Sequence, residues 1–100
     1  MAFPESFLQD LKMRNDITDV VSGYVNLKRQ GRNMVGLCPF HGEKTPSFNV
    51  YSESGSFYCF GCGVGGDVVS FIMRIENLDY VDAIKYLAQR AGLDMPENNY

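Results

Sequence analysis

At 100 residues the chain has room for one small domain rather than two, and an apolar content of 45% is too ordinary for a disordered tail. The net charge of −3 argues against broad nucleic-acid affinity, yet residues 24–50 carry four cations (Lys28, Arg29, Arg32 and Lys44) against Glu43 alone, a balance of +3 that leaves −6 for the remainder. No apolar stretch approaches the roughly 20 residues that span a bilayer, and the first 25 residues hold no secretory h-region, so a cytosolic, reducing setting is expected.

Residues 4–14 read as a first helix, with Phe7, Leu8 and Leu11 as its apolar stripe, Glu5 early, and Lys12 and Arg14 late, as the helix dipole prefers. Asp16 or Thr18 caps a short second helix that runs through Val21 and stops near Gly23. The pattern then changes. Residues 24–28 are rich in strand formers, Gln30-Gly31-Arg32-Asn33 is a turn signal, and residues 34–37 form the return strand. Residues 47–51 and 56–60 are a second strand pair across a turn at 52–55. This middle region is predicted to be two antiparallel hairpins.

Residues 61–66 read as a glycine-rich turn. Asp67 is the N-cap of a helix to about Glu76 that buries Val68, Val69, Phe71, Ile72 and Ile75. Asp79 caps a last helix with Val81, Ala83, Ile84, Leu87 and Ala88 apolar and Gly92 as its stop. The fold class expected is small α+β, an antiparallel sheet flanked by N- and C-terminal helices. It fills residues 1–95, and 96–100 read as the start of a linker.

Two motifs carry chemistry. Cys38-Pro39-Phe40-His41 and Cys59-Phe60-Gly61-Cys62 each hold two ligands with two residues between, and seventeen residues separate the pairs. Each pair on a tight turn grips one ion from one side, and a hairpin brings the two turns together into a tetrahedron. Three thiolates and one imidazole suit a single structural zinc ion, and they leave no position open for a catalytic water. Together they use every cysteine and the one histidine of the chain. The alternatives are buried core cysteines beside a surface histidine, a redox pair at Cys59 and Cys62 that lacks βαβ surroundings, and an iron site.

The second motif is a strip of cations and rings. Lys28, Arg29 and Arg32 flank the first turn, Lys44 follows the first knuckle, and Phe48, Tyr51, Phe57, Tyr58 and Phe60 lie on the second hairpin. Such a strip suits single-stranded nucleic acid, with cations on phosphates and rings stacked on bases. Alternation, however, sends Phe48 and Val50 to the face opposite Ser47, Asn49 and Tyr51, and some of those rings must fill the core. A protein-binding ribbon remains the alternative. Gly63-Val64-Gly65-Gly66 before a helix fits a tight connection better than a phosphate cradle, since it lacks the P-loop lysine.

The run from Tyr24 to Asn33 (YVNLKRQGRN), the run from Gly36 to Phe48 (GLCPFHGEKTPSF), and Cys59-Phe60-Gly61-Cys62-Gly63 with Gly65-Gly66 together resemble the N-terminal zinc-binding domain of bacterial, DnaG-type DNA primase. The resemblance implies a zinc ribbon with Cys38, His41, Cys59 and Cys62 as ligands. It implies recognition of initiation sites on single-stranded template DNA, with Lys28, Arg32, Lys44, Ser47 and Phe48 on the template-binding face and Phe57 and Tyr58 nearby. It also implies a polymerase domain, in cis or in trans, that makes short RNA primers, and a more distal region that binds the replicative helicase, in the bacterial cytoplasm at the replication fork. Two departures bear on template preference: Ser54 stands where relatives often carry a lysine, and Tyr58 where they often carry histidine. Nothing here resembles the polymerase's paired-carboxylate site, so this chain is not expected to synthesise RNA alone. Other readings are a zinc ribbon that docks on protein through its acidic helices and Tyr80 or Tyr86, and the zinc domain of a phage or plasmid primase-helicase.

Overall fold

The computed structural model describes residues 3–40 and 46–94. Two helices open the chain, α1 (Glu5–Arg14) and α2 (Ile17–Ser22). Five strands follow: β1 (Lys28–Gln30), β2 (Asn33–Gly36), β3 (Phe48–Tyr51), β4 (Ser56–Cys59) and β5 (Gly65–Asp67). Two helices close it, α3 (Val68–Ile75) and α4 (Tyr80–Ala91). The strands form one antiparallel sheet in the order β1-β2-β3-β4-β5. The two expected hairpins are therefore joined into one meander, because β2 also pairs with β3 (Met34 with Val50, Gly36 with Phe48).

Helix boundaries follow the capping chemistry. Asp16, Asp67 and Asp79 each accept a hydrogen bond from the backbone N–H three residues on, those of Asp19, Ser70 and Asp82. At the far end of α4, Gly92 adopts a left-handed conformation while its own N–H and that of Leu93 close on the carbonyls of Gln89 and Ala88.

Two expectations need correction. The first strand begins at Lys28 rather than at residue 24. The N–H groups of Tyr24 and Val25 are still spent on Val21 O, continuing the exit from α2, so they are not available to a strand ladder. The glycine-rich segment, expected to be only a turn, contributes β5. Glycine is a poor strand former by propensity, but here it is a steric requirement: a Cβ on Gly65 would sit 2.8 Å from the Tyr58 ring.

The helices cover one face of the sheet. α2 lies against β3, α3 against β4 and β5, and α4 packs on α3 and α1. Four rings fill the middle: Phe48 lies 5.3 Å from Phe57 (centroid to centroid), Phe57 5.7 Å from Phe71, and Phe40 5.7 Å from Phe71. Burial of each such side chain contributes roughly 1.5–3 kcal/mol. Among the described residues one polar side chain lies wholly inside. Asn15 donates to the carbonyls of Leu11 (2.9 Å) and Leu87 (3.1 Å) and accepts from the Arg90 guanidinium at 3.1 Å. It thereby ties the end of α1 to α4 without leaving a buried polar atom unmet. Among the described residues no helix is long and apolar enough to cross a membrane.

Candidate metal centre and nucleic-acid face

Strand register builds the metal centre. Gly36 pairs with Phe48, and Phe48 with Cys59, so the exits of β2 and β4 lie at the same end of the sheet. Cys38 leaves β2 there, Cys59 is the last residue of β4, and Cys62 follows in a tight turn closed by Gly63 N–H on Cys59 O at 2.8 Å. Gly63 takes φ of +77°, which a side chain would strain. Three cysteine sulfurs converge within 4.8 Å of one another, and Cys38 Sγ lies 3.8 Å from Cys62 Sγ. No disulfide links them. Sulfurs bound at about 2.3 Å on a tetrahedral zinc stand about 3.8 Å apart, so the donor set and its spacing fit the ion.

Electrostatics point the same way. Burial pushes the Cys38 thiol up to about 12; the Phe40 N–H, 3.4 Å from its sulfur, pulls it down, and the neighbouring Cys59 and Cys62 sulfurs push it up again. A cation bound among the three sulfurs reverses that preference and holds Cys38 as a thiolate. The first knuckle is anchored inward by Phe40, whose ring meets Phe48, Phe57 and Phe71. His41, the expected fourth ligand, lies outside the described residues.

The face away from the helices is the candidate template surface. Register aligns Lys28, Val35, Asn49, Tyr58 and Gly65 in one row across all five strands. Lys28 is exposed at the outer strand. Tyr58 is 39% exposed and Phe60, one step past β4, is 67% exposed; the two rings meet edge to face at 4.9 Å. Arg32 sits at the other end of the sheet, on the β1–β2 turn, 3.9 Å from the Glu53 carboxylate of the β3–β4 turn, both well exposed. Ser47 is half-buried at the metal end, its hydroxyl 3.7 Å from Cys59 Sγ. Lys44 lies outside the described residues.

The resemblance places Phe48 and Phe57 on or beside the template-binding face, and the fold corrects this. Both rings point into the core, 0% and 2% exposed, as the alternation of β3 and β4 dictates, so neither offers a face to a base. Asn49 is a residue the expected site omitted, and Phe60, part of the ring strip read from the sequence, joins it although the resemblance did not name it. The same alternation carries the signal for both, since it turns Asn49, Tyr58 and Phe60 to one side. Of the two tyrosines considered for protein docking, Tyr80 is exposed but lies 5.9 Å from the Phe3 ring, and Tyr86 is half-buried with its hydroxyl 2.8 Å from that of Tyr24.

Comparison with known proteins decides the family. The sequence pattern of the CHC2 zinc finger matches residues 3–100. The chain belongs to the CHC2 zinc finger family. It is 54% identical over 92 residues to a DNA primase of Geobacillus stearothermophilus, covering 92% of this chain and 15% of that protein. It is 50% identical over 93 residues to a DNA primase of Pseudomonas putida, covering 93% of this chain and 14% of that protein. The fold matches the crystal structure of the Aquifex aeolicus primase (zinc-binding and RNA polymerase domains) with a TM-score of 0.85 and 41% identity, over 96% of this chain and 23% of that one. The chain thus spans about a seventh of the length of these curated relatives. It has the fold of the primase zinc-binding domain, and its cysteine cluster is a zinc site.

Proposed function

We propose that this zinc-binding domain recognises single-stranded template DNA at primer initiation sites, so that a primase polymerase domain, in cis or in trans, starts short RNA primers there. The observation that carries the reading is the row of Lys28, Asn49 and Tyr58 across the helix-free face, ending beside the metal knuckle. Lys28, Arg32 and Lys44 engage phosphates, and the phosphate term is what makes such binding salt-dependent. Ser47 and Tyr58 face the strand, while Phe48 and Phe57 support the sheet from beneath. His41 completes the zinc ligands with Cys38, Cys59 and Cys62.

The metal supplies structure here, and the chain supplies the recognition. Cys38, Cys59 and Cys62 draw the ends of β2 and β4 together. That fixes Lys28 and Tyr58 relative to each other before DNA arrives, and so lowers the ordering cost of binding. In the whole protein the chemistry of nucleotide joining belongs to the polymerase domain, a further region engages the replicative helicase, and the site of action is the cytoplasmic replication fork. Residues 1–95 act as the recognition unit and 96–100 begin the linker.

The test is primer initiation by the full-length protein with Lys28, Arg32 and Lys44 all changed to glutamine. Initiation on single-stranded template should fall steeply while extension of a supplied primer persists. Normal initiation would sink the reading. A groove of about 290 Å³ lined by Tyr24, Val25, Asn26, Leu37, Cys38 and Pro39 supports a second role, docking on the polymerase domain. Association that survives high salt without DNA would identify it.

A further inference from the structure

The two metal knuckles carry one phenylalanine each between their ligands, and the fold treats them oppositely. Phe40 turns inward onto Phe48, Phe57 and Phe71. Phe60 turns outward and is two-thirds exposed, though its backbone is held at the start of a hydrogen-bonded turn. Its own N–H is fixed on Ser47 O at 2.9 Å, and both flanking ligands, Cys59 and Cys62, belong to the metal centre. The Tyr58 ring meets it edge-on at an interplanar angle of 70° and is laid over Gly65, the glycine whose Cβ would meet that ring at 2.8 Å. A rigid aromatic corner exposed to water contributes little to the fold, and ring faces of this kind suit an unpaired base.

We infer that Phe60, with Tyr58 at its edge, is the base-stacking step of the template face, and that base-dependent binding therefore belongs to the metal end of the sheet. This rests on the single-stranded DNA reading above and names its reader. The occupant is single-stranded nucleic acid rather than protein because the same outer face carries Lys28, exposed and without an ion pair among the described residues, with Arg29 exposed beside it on the same edge strand. Three strand spacings of about 4.8 Å put Lys28 roughly 14 Å from Tyr58, a span of a few nucleotides of extended strand. Phosphate at Lys28 and a base on Phe60 thus belong to one short segment. The stacking is sequence-tolerant, since every base has a ring face.

The experiment titrates the zinc-loaded chain with two oligonucleotides of equal length and charge, one oligothymidine and one fully abasic. The unaltered protein should bind oligothymidine more tightly, on the order of tenfold or more. Phe60→Ala and Phe60→Leu should each remove most of that difference and leave abasic binding and zinc content unchanged. Lys28→Gln should weaken both oligonucleotides alike and lower the salt slope by about one. Equal binding of the two strands by the unaltered protein, or a base preference that survives in both Phe60 variants, overturns the inference while the DNA reading stands. No binding of either strand overturns the DNA reading itself. Unchanged DNA binding with weakened association to the polymerase domain makes the corner a protein contact and equally overturns the inference.

Discussion

The sheet has two ends built on different physics. At the metal end, three sulfurs gather the exits of β2 and β4, Phe40 pins one knuckle into the aromatic core, and Gly63 permits the cramped second turn. At the turn end the β1–β2 and β3–β4 loops meet through one exposed pair, Arg32 with Glu53. A hydroxyl contact, Thr18 with Ser52 at 2.8 Å, and an ion pair, Lys12 with Asp67 at 3.0 Å, tie that end to the helices. Order at the first end comes from a coordination centre and buried rings, and at the second from individually weak surface contacts. For the template role proposed above, holding one end rigid while the other adjusts suits a partner that is a flexible strand.

The largest expected effect is at the metal end. Cys59→Ala removes a wholly buried ligand, and in small zinc domains metal binding is itself folding free energy, on the order of 10 kcal/mol. Native mass spectrometry should show loss of zinc, and hydrogen exchange should show protection lost first around residues 36–40 and 59–63. Retention of that protection in chelator would mean that the aromatic core, rather than the ion, orders this end.

Two phenylalanines sharpen the same contrast. Phe57→Ala empties a site in the four-ring core and should cost about 3–5 kcal/mol in a urea titration. Phe60→Ala, three residues on, should cost no more than about 0.5 kcal/mol, because its ring is mostly in water. Comparable losses would place Phe60 in the structural core and refute its role as a free ring.

Sequence was a good guide wherever one local rule decides the outcome. The caps at Asp67 and Asp79, the choice of Asp16 over Thr18, the stop at Gly92 and the gathering of the three cysteines all follow from chemistry within a few residues. Alternation also set Phe48 and Val50 opposite Asn49, and the structure shows theirs to be the inner face, against the template role that the resemblance implied for Phe48. What could not be read depends on partners distant in sequence. β5 exists because β4 offers an open edge to glycines that propensity disfavours. Asn15 is a buried tie because Leu87 and Arg90 happen to face it from a helix more than seventy residues away. Phe40 turns inward because Phe71 of α3, more than thirty residues on, receives its ring.

A medium effect tests how the turn end is held to the helices. Burial pushes the Asp67 carboxyl up, but the Ser70 N–H, the Lys12 ammonium and the Ser70 hydroxyl outweigh it and hold it below the usual aspartate range. A carboxyl held low in the folded state contributes stability that is complete above the unfolded aspartate value. That stability is lost as pH falls through the folded one. Asp67→Ala should cost about 1 kcal/mol through the lost cap at neutral pH. Asp67→Asn keeps a capping oxygen and should instead flatten the acid limb of the urea midpoint against pH. An unchanged acid limb in Asp67→Asn would assign the acid sensitivity to the metal end, whose thiolates also take up protons.

The smallest effect is at the turn tips. Glu53 lies 3.9 Å from Arg32, so a phosphate approaching Arg32 meets a carboxylate already there. Both groups are highly exposed, and pairs of this kind are worth about 0–1 kcal/mol. Glu53→Gln should therefore tighten single-stranded DNA by no more than about fivefold in low salt, with the gain vanishing at high salt. The gain should be the same for oligothymidine and abasic strands, since Arg32 meets phosphate alone. It should also disappear in an Arg32→Gln background. A gain that persists there would mean that Glu53 repels the strand as part of the general field rather than by occupying Arg32, and the turn end would then hold no phosphate site of its own.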